Sequence, residues 1–348
     1  MPTCKNCGDL DISLFLVRTS GYVPNVCAAC ERGQSRVRRK TSYHASRKKR
    51  EGLTTEALVS WSERFSSLRA GELPESVYDL DSICANLARM EIRDPLPQSV
   101  YGINFLDAAF PHRFSAKTAG QPSLIEALAD DDLFGKVIKY IIDSGRVPTE
   151  KLILHNLRFN INTPSHFFPS AAAALYNEYA RGKDVYDPFV GWGGRTLAAY
   201  CTNVKSITGT DLQEASILGC GRISQEMHGK NNVVGRFFNQ NCLSYMQSTS
   251  ESFDFIFSSP PFLDSEKYGN SQEHSSTREW VESFVIPFVR GMKRVLRPGG
   301  VAGLHLQDRR NVPALSLFLA AMSSSSFKVT REFKYGKTSG QIVLIVSL

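Results

Sequence analysis

The residues best suited to chemistry in this chain form the tetrapeptide Ser259-Pro260-Pro261-Phe262, which follows the apolar run 253–257, a predicted buried strand. An exocyclic amine on an aromatic base is a weak nucleophile because its lone pair is delocalised into the ring. Two acceptors aimed at its hydrogens, here the Ser259 hydroxyl and the Pro260 carbonyl, favour a pyramidal nitrogen. The prolines fix φ near about −65°, and Phe262 offers a face on which a base can stack. The tetrapeptide therefore predicts catalysis by positioning and electrostatics, and a plain proline turn is the structural alternative.

A second motif lies upstream and is rich in glycine: Asp187-Pro188-Phe189-Val190-Gly191-Trp192-Gly193-Gly194. Glycines let the backbone turn tightly and approach a ligand closely, although phosphate and dinucleotide sites share such a loop. The Asp-Pro-Phe at its start is not part of the dinucleotide fingerprint. Asp211 ends the next predicted strand, where its carboxylate can accept both ribose hydroxyls, and no basic residue beside it favours a 2′-phosphate. These features predict S-adenosylmethionine as the cofactor, and a helix N-cap is the alternative role for Asp211.

Alternating strands and helices in the second half of the chain would position both motifs. The predicted strands are 185–186, 206–210, 233–238, 253–257 and 301–306. The predicted helices are 171–180, 195–201, 213–228, 280–296 and 312–322, with a turn at 297–300 and a terminal antiparallel hairpin of 328–333 and 342–346. This alternation predicts an α/β fold with a mostly parallel sheet covered on both faces. Ligands bind beyond the carboxyl ends of such strands, where the glycine loop, Asp211 and the proline motif all fall.

The N-terminal segment carries two Cys-x-x-Cys pairs, Cys4 with Cys7 and Cys27 with Cys30, separated by nineteen residues. Two such pairs complete the tetrahedron of a structural zinc site, at about 2.3 Å per Zn–S bond. Disulfides or free thiols are the alternative, which a reducing compartment disfavours. Residues 1–33 are therefore predicted to form a zinc ribbon. The other cysteines are scattered and are predicted to be small buried side chains: Cys84, Cys201, Cys220 and Cys242.

The segment after the predicted ribbon is strongly basic, in a chain whose formal net charge is +7. Its candidate nucleic-acid-binding residues are Arg36, Arg38, Arg39, Lys40, Arg47, Lys48, Lys49 and Arg50. Such a run is either a solvated face or an arm that contacts phosphates. Because it directly follows a predicted zinc module, we expect it to contact nucleic acid.

Length and composition describe a globular protein with more than one domain. The 348 residues are 42% hydrophobic and 22% charged, and no apolar stretch is long enough to span a bilayer. The N-terminus lacks the apolar core of a secretory signal, so a cytoplasmic protein without a membrane partner is expected. The predicted domains are the ribbon 1–33, a basic linker 34–53, a mostly helical region 54–160 that is a candidate for target recognition, and the sheet domain 161–348.

Residues 163–348 resemble the class I S-adenosylmethionine-dependent methyltransferases, and in particular the DNA amino-methyltransferases of the N4-cytosine and N6-adenine type. The resemblance rests on the glycine loop, the carboxylate after the second strand and the Ser-Pro-Pro-Phe motif, and it implies a Rossmann-like sheet. In that family the loop wraps the methionine part of the cofactor. The matching residues here are Asp187, Pro188, Phe189, Gly191 and Gly193.

The resemblance implies three further cofactor positions. Asp211 matches the acidic residue that binds the ribose. Phe168 lies in the segment 163–169, which resembles one that often contributes to the family's cofactor site, although an ordinary helix entry capped by Ser170 is the alternative. Asn241 stands near the position where the family often places an aspartate beside the adenine amino group, and this departure weakens the match there.

The activity that the resemblance implies is transfer of a methyl group from S-adenosylmethionine to an exocyclic amino group of a DNA base. A serine in the first position of the proline motif is most often seen with cytosine N4. The alternatives are adenine N6, an RNA base, a protein glutamine side chain, and a non-catalytic DNA-binding protein on a methyltransferase fold.

Overall fold

A computed structural model describes residues 55–348 of the protein apart from 119, 162, 262–273, 275, 309–311 and 337–339. The four predicted zinc ligands, the basic linker and Phe262 lie outside the described residues, and what the sequence predicts for them stays a prediction. The described residues divide into two units, 55–65 with 135–153 and 66–134 with 154–348. The second unit contains the sheet.

Short helices occupy most of the described residues ahead of the sheet. They are α1 Thr55–Arg64, α2 Ser66–Arg69, α3 Leu80–Leu87, α4 Ile103–Ala109, α5 Leu124–Ala129, α6 Asp131–Asp143, α7 Glu150–Asn160 and α8 Pro169–Tyr179. Polar side chains begin several of them: Asp79 accepts from two backbone amides at the start of α3, and Ser123 and Glu126 form a reciprocal capping box at α5. The prediction of a mostly helical region is confirmed over its described residues.

The sheet has seven strands: β1 Asp184–Asp187, β2 Ser206–Asp211, β3 Val234–Asn239, β4 Phe253–Ser258, β5 Leu296–Gln307, β6 Lys328–Tyr335 and β7 Gln341–Ser347. The helices after β1 are α9 Gly194–Tyr200, α10 Glu214–Glu226, α11 Cys242–Ser248, α12 Thr277–Trp280, α13 Ile286–Val295 and α14 Ala314–Ser324. The strand order is β3-β2-β1-β4-β5-β7-β6, and β7 runs antiparallel to both β5 and β6 while the other pairs are parallel. The predicted alternation and the terminal antiparallel hairpin are both confirmed.

Successive side chains along the strands point to opposite faces of the sheet and pack into two hydrophobic cores, one on each face. On β4, Phe255 and Phe257 join the core formed with α8, α9 and α10, whereas Ile256 joins the core formed with α13 and α14. Burial of each such side chain stabilises the fold by about 1.5–3 kcal/mol. Because both faces are covered, the parallel strands read as nearly continuous apolar runs in the sequence.

Two predicted elements differ in the structure. The turn predicted at 297–300 lies inside β5, because Phe253 pairs with Leu296 while Phe255 pairs with Val301. The additional residues on β5 bulge out of the ladder, which then resumes. The single helix predicted over 280–296 is α12, a π-helical turn at Val281–Val285, and α13. The turn widens directly before Pro287, whose ring crowds the preceding turn of an α-helix.

The cysteines correct one expectation and confirm another. Cys84 and Cys201 are joined by a disulfide that ties α3 to the residue after α9, with their Cα atoms 4.5 Å apart. They are therefore not independent buried thiols, because the packing of α3 on α9 brings them together. Cys220 and Cys242 are free and buried, as predicted. Within the described ranges, no helix combines the length and apolar character needed to cross a membrane.

Candidate active site

Asp187, the last residue of β1, is fully buried and joins the two predicted motifs. Its Oδ1 accepts hydrogen bonds from the Ser258 hydroxyl at 2.6 Å and from the Phe189 amide at 3.2 Å. Its Oδ2 accepts from Nε of Arg195 at 2.8 Å, and the Arg195 guanidinium also donates to the Phe189 carbonyl oxygen. Because Ser258 ends β4 and Arg195 lies in the first turn of α9, one carboxylate fixes the glycine loop against the proline motif.

Arg195 is the counter-ion of Asp187, and their side chains are 5% and 0% exposed. Burial by itself would lower the pKa of the guanidinium, but the charge and hydrogen bond of Asp187 outweigh burial and raise that pKa. The Arg195 guanidinium is therefore charged at neutral pH. Arg195 was not predicted from the sequence, where its one signal is a cationic residue directly after the glycine loop.

The glycines of the loop have different surroundings. A Cβ on Gly194 would lie 2.1 Å from the Phe167 carbonyl oxygen, and one on Gly193 would lie 2.4 Å from the Phe110 ring. Gly191 has a φ of +52°, and the nearest atom to a Cβ there would be 3.9 Å away. Gly193 and Gly194 thus permit close packing beneath the loop, whereas a Cβ on Gly191 would meet no closer neighbour than an ordinary van der Waals contact.

Pro188 and Phe189, the other two predicted residues of the loop, hold the loop against the rest of the fold. The Pro188 carbonyl oxygen accepts a hydrogen bond from the Thr210 hydroxyl at 2.8 Å. The Phe189 ring packs against Phe288 and Phe284, at centroid distances of 5.5 Å and 5.9 Å. Asp187, like these two residues, fixes the position of the loop, and a contact between any of the three and a cofactor stays a prediction.

Asp211 ends β2 beside the glycine loop. Its Oδ2 accepts from the Gly191 amide and its Oδ1 from the Gln213 amide, both at 2.9 Å. Burial raises the pKa of the carboxyl, while these two hydrogen bonds favour the charged form. A carboxylate has about four acceptor positions, so two remain for the hydroxyls of a ribose. Gln213 is the N-cap residue of α10, so Asp211 does not hold the alternative N-cap position.

The segment 163–169 enters α8 against the sheet. The Phe168 amide donates to the Tyr335 hydroxyl at 2.9 Å, and the Phe167 ring stacks on Tyr335 at 4.7 Å. The N-cap residue of α8 is Phe168. Ser170 does not cap this helix, since its hydroxyl donates to the Pro97 carbonyl oxygen at 2.9 Å. Phe168 is half-buried, and its contact with a cofactor stays a prediction.

A buried ionic network that was not predicted from the sequence holds this segment. Asp107 accepts from His166 at 2.9 Å and from Arg113, which also donates to the Pro164 carbonyl oxygen at 2.8 Å. Burial opposes ionisation of Asp107, but the hydrogen bond from His166 and the charges of Arg113 and Arg158 outweigh it and lower its pKa to about 2. Across the described ranges, no group of three or more His, Cys, Asp or Glu side chains is arranged to hold a metal ion.

Asn241 precedes α11, a helix that the sequence analysis did not predict. Its side-chain oxygen caps that helix by accepting from the amides of Leu243 at 2.8 Å and Ser244 at 3.4 Å. The capping role accounts for an asparagine at this position. A contact between Asn241 and adenine stays a prediction.

Ser259 directly follows β4 and is half-buried, with Pro260 buried and Pro261 half-buried behind it. The Ser259 hydroxyl lies 2.9 Å from Nδ1 of His305 on the neighbouring strand β5. Nε2 of His305 lies 3.1 Å from Oε1 of Gln341 at the start of β7. We call Ser259, His305 and Gln341 the acceptor corner, and Asp187, Arg195, Gly191 and Asp211 the cofactor edge. His305 was not predicted; its signal was one histidine in an otherwise apolar strand, close to the carboxyl end.

The register of the sheet brings these parts to one edge. The parallel pairing of β3, β2, β1, β4 and β5 puts the carboxyl ends of β1, β2 and β4 side by side, where the glycine loop, Asp211 and Ser259 follow them. Antiparallel β7 lies between β5 and β6. The fold is that of the class I methyltransferases. The predicted Rossmann-like methyltransferase sheet is thus confirmed as a fold, and the zinc ribbon ahead of it is not tested by the described residues.

Curated methyltransferases are similar to part of this chain, although no family model matches it. The ribosomal RNA large subunit methyltransferase K/L of Photobacterium profundum is 30% identical over 129 residues, which is 36% of this chain and 17% of that protein. The protein of the same name from Aliivibrio fischeri is 27% identical over 150 residues, 43% of this chain and 20% of that protein. The similarity thus spans only a small part of these relatives' length.

Solved methyltransferase structures overlap the same fold loosely. TrmN from Thermus thermophilus has a TM-score of 0.38 at 21% identity, covering 51% of this chain and 48% of that one. A methyltransferase from Pyrococcus furiosus has a TM-score of 0.37 at 19% identity, covering 51% of this chain and 82% of that one. We therefore assign the fold from strand order and register rather than from these overlaps.

Proposed function

We propose that the protein is an S-adenosylmethionine-dependent methyltransferase that acts on an exocyclic amino group of a base in RNA. The observation that carries the proposal is the 2.6 Å hydrogen bond from Ser258 to Asp187. It joins the strand end that bears the proline motif to the strand end that bears the glycine loop. A methyl donor on the loop would therefore lie beside a base held by Ser259 and Pro260.

The cofactor edge fits an adenosine-containing cofactor with a neutral ribose. Asp211 offers the acceptor positions that two ribose hydroxyls need, and Gly191 leaves room for a ligand against the backbone. S-adenosylmethionine supplies a methyl group activated by attachment to a sulfonium. The chain's own residues bind and orient it: Asp211 accepts from the ribose, and the Asp187–Arg195 pair holds the loop in shape.

The acceptor corner would prepare the target nitrogen. The Ser259 hydroxyl and the Pro260 carbonyl are the acceptors assigned to the two amine hydrogens, and such hydrogen bonds strengthen as the nitrogen becomes pyramidal and positive. A preorganised polar group of this kind typically contributes about 10²–10³ in rate. The amine sheds a proton readily once it is methylated, so no strong general base is required.

RNA is favoured over DNA as the target, which reverses the order that the sequence alone supported. The curated relatives are named as ribosomal RNA methyltransferases. The basic linker serves either nucleic acid, because phosphate contacts carry no sequence information. DNA remains the second candidate because the Ser-Pro-Pro-Phe motif resembles that of the DNA amino-methyltransferases.

Nucleoside mass spectrometry tests the proposal directly. The full chain is incubated with S-adenosylmethionine and, in separate arms, with structured ribosomal RNA and with duplex DNA, and each product is digested to nucleosides. We expect a methylated exocyclic amine in the RNA arm that is strongly reduced with Ser259→Ala. Methylation in the DNA arm alone would favour the second candidate, and methylation of carbon or oxygen would contradict the amine assignment.

We also propose that the N-terminal region, with the predicted ribbon 1–33, recognises the target RNA. The four cysteines Cys4, Cys7, Cys27 and Cys30 are proposed to hold structural zinc, which elemental analysis of purified protein would measure. Replacing Cys4 and Cys7 with serine should remove the metal and weaken RNA binding while leaving cofactor binding intact. Loss of cofactor binding with retained RNA binding would remove the ribbon from target recognition.

A further inference from the structure

A chain of hydrogen bonds runs from Ser259 into the protein across three neighbouring strand ends. The Ser259 hydroxyl contacts Nδ1 of His305 at 2.9 Å, and Nε2 of His305 contacts Oε1 of Gln341 at 3.1 Å. The chain continues through Nε2 of Gln341 to Oε1 of Gln307 at 3.1 Å. His305 is 7% exposed, whereas Ser259 is half-buried at the surface of the site.

The direction of the bonds follows from the orientation of the Gln341 amide, whose oxygen faces His305 while its nitrogen faces Gln307. An amide oxygen only accepts, so Nε2 of His305 carries the hydrogen that it donates to Gln341. In a neutral imidazole the other ring nitrogen then has a lone pair and no hydrogen. Nδ1 of His305 therefore accepts, and the Ser259 hydroxyl donates its single hydrogen inward.

The surroundings of His305 keep the imidazole neutral. The Phe167 and Tyr335 rings lie 5.3 Å and 4.5 Å from it. Burial, with a contribution from the positive charge of Arg195, lowers the pKa of His305 to about 4. A charged imidazole would carry hydrogens on both nitrogens and would force the Ser259 hydrogen outward.

We propose that His305 and Gln341 are positioning residues that turn the Ser259 hydrogen away from the substrate, so that only oxygen lone pairs face the target. The inference rests on the proposed function and deepens it. A target atom that bears hydrogens, such as a primary amine, can donate to this oxygen. A target atom with a lone pair and no hydrogen, such as a ring nitrogen, would face lone pairs and be rejected. The corner would thus select the class of atom that is methylated.

A double-mutant cycle on the full chain tests this role. His305→Phe removes the acceptor while keeping an aromatic ring, and we expect kcat to fall about 10- to 100-fold, by analogy with the loss of groups that orient metal ligands, with an unchanged Kd for S-adenosylmethionine. In a Ser259→Ala background the same substitution should cost almost nothing further, because the hydroxyl it orients is absent. Additive losses, or a loss confined to cofactor binding, would overturn the inference.

Two further variants separate orientation from folding. His305→Asn keeps an oxygen acceptor near the place of Nδ1 and should recover part of the rate lost in His305→Phe. His228→Phe, at an exposed position outside the site, should leave kcat unchanged. If His305→Asn and His305→Phe are equally slow although both are folded by circular dichroism, the inference fails.

NMR of the protein without substrate gives a readout that does not depend on activity. The imidazole nitrogen shifts of His305 should identify Nε2 as the nitrogen that carries hydrogen at neutral pH. Hydrogen on Nδ1 would overturn the inference even if the enzyme is active. A wild-type protein that transfers no methyl group to any nucleic acid would instead overturn the proposed function on which it rests.

Discussion

The cofactor edge and the acceptor corner lie on adjacent strand ends but are built from opposite kinds of groups. The cofactor edge is organised by the buried ion pair of Asp187 and Arg195, whose bonds reach β4, α9 and the loop. The acceptor corner contains only neutral side chains, Ser259, His305 and Gln341. The ion pair at the cofactor edge fixes the conformation of the loop backbone. The neutral hydrogen bonds at the acceptor corner instead orient the Ser259 hydroxyl, so that its lone pairs face the substrate.

The difference matches what each part would hold. A loop that wraps a cofactor must keep its shape without a ligand, and a buried, hydrogen-bonded ion pair resists rearrangement because either partner alone is strongly unfavourable. An amine that attacks a positively charged methyl donor becomes positive itself. Oriented lone pairs stabilise that developing charge without the desolvation cost of another ion.

The largest expected effect is on stability, at the cofactor edge. Asp187→Asn removes the counter-ion of a buried guanidinium, and we expect it to destabilise the fold by about 3–5 kcal/mol. Denaturant unfolding measures this loss. The control is Asp81→Asn, which breaks an ion pair with Lys230 at a side chain that is 81% exposed and should change stability little. Equal effects of the two variants would contradict the structural role of Asp187.

Adjacent serines offer the sharpest contrast between the two regions. Ser259→Ala should lower kcat about 10²–10³-fold, with little change in cofactor affinity, because it removes an acceptor from the target nitrogen. Ser258→Ala removes a donor to Asp187 instead, so its main effects should be on stability and cofactor affinity. Single-turnover kinetics and calorimetric titration of cofactor separate the two. If both variants change kcat and cofactor affinity to the same extent, the assignment of Ser258 to the cofactor edge and of Ser259 to the acceptor corner is wrong.

Asp211 links the cofactor edge to pH. In the proposed site its carboxylate form would accept from ribose, and burial raises its pKa, so cofactor affinity should weaken as pH falls through that raised pKa. Asp211→Asn should weaken binding about 10- to 100-fold, or ~1.4–2.7 kcal/mol, and abolish this pH dependence. Calorimetric titration across the acidic range measures both. A pH dependence that persists in Asp211→Asn would assign it to another group.

The pKa of Asp211 also has a consequence for stability. Because its folded-state pKa lies above the unfolded value, protonated Asp211 is favoured by folding. That contribution is present below the unfolded pKa and is lost as pH rises through the folded pKa. Above the folded-state pKa, the ligand-free protein holds a buried charge beside Gly191 that opposes folding.

The candidate site residues predicted from the sequence directly follow strands. The residues that were not predicted are brought to the site by the pairing of neighbouring strands. Asp211 and Ser259 were predicted as site residues because each follows a predicted strand, and strand ends in a parallel sheet share one edge. His305 was missed because its contact with Ser259 requires β5 beside β4 in one register. Gln341 was missed because antiparallel β7 brings it to His305 from the far end of the chain.

Local sequence signals for turns and helices gave wrong predictions where contacts with other parts of the fold decide the structure. The sequence of 297–300 is typical of a turn, yet it forms a bulge within β5 because the flanking residues pair with β4. The helix α11 is short and lies between polar residues, so its only strong signal was the capping asparagine at 241. Arg195 was overlooked because its role depends on closure of the glycine loop over Asp187.

The smallest expected effect is that of a methyl group added at Gly191, in the glycine loop of the cofactor edge. Gly191→Ala places a Cβ at a φ of +52° with no atom nearer than 3.9 Å, so its stability cost should be conformational, about 1–2 kcal/mol. Gly229→Ala is the matched control, with a φ of +76° and no atom within 4 Å, in a turn outside the site. Both should lose similar stability by denaturant unfolding, but only Gly191→Ala should weaken cofactor binding, because only there would the new methyl group occupy ligand space. Equal cofactor affinity in the two variants would place the ligand elsewhere on the sheet.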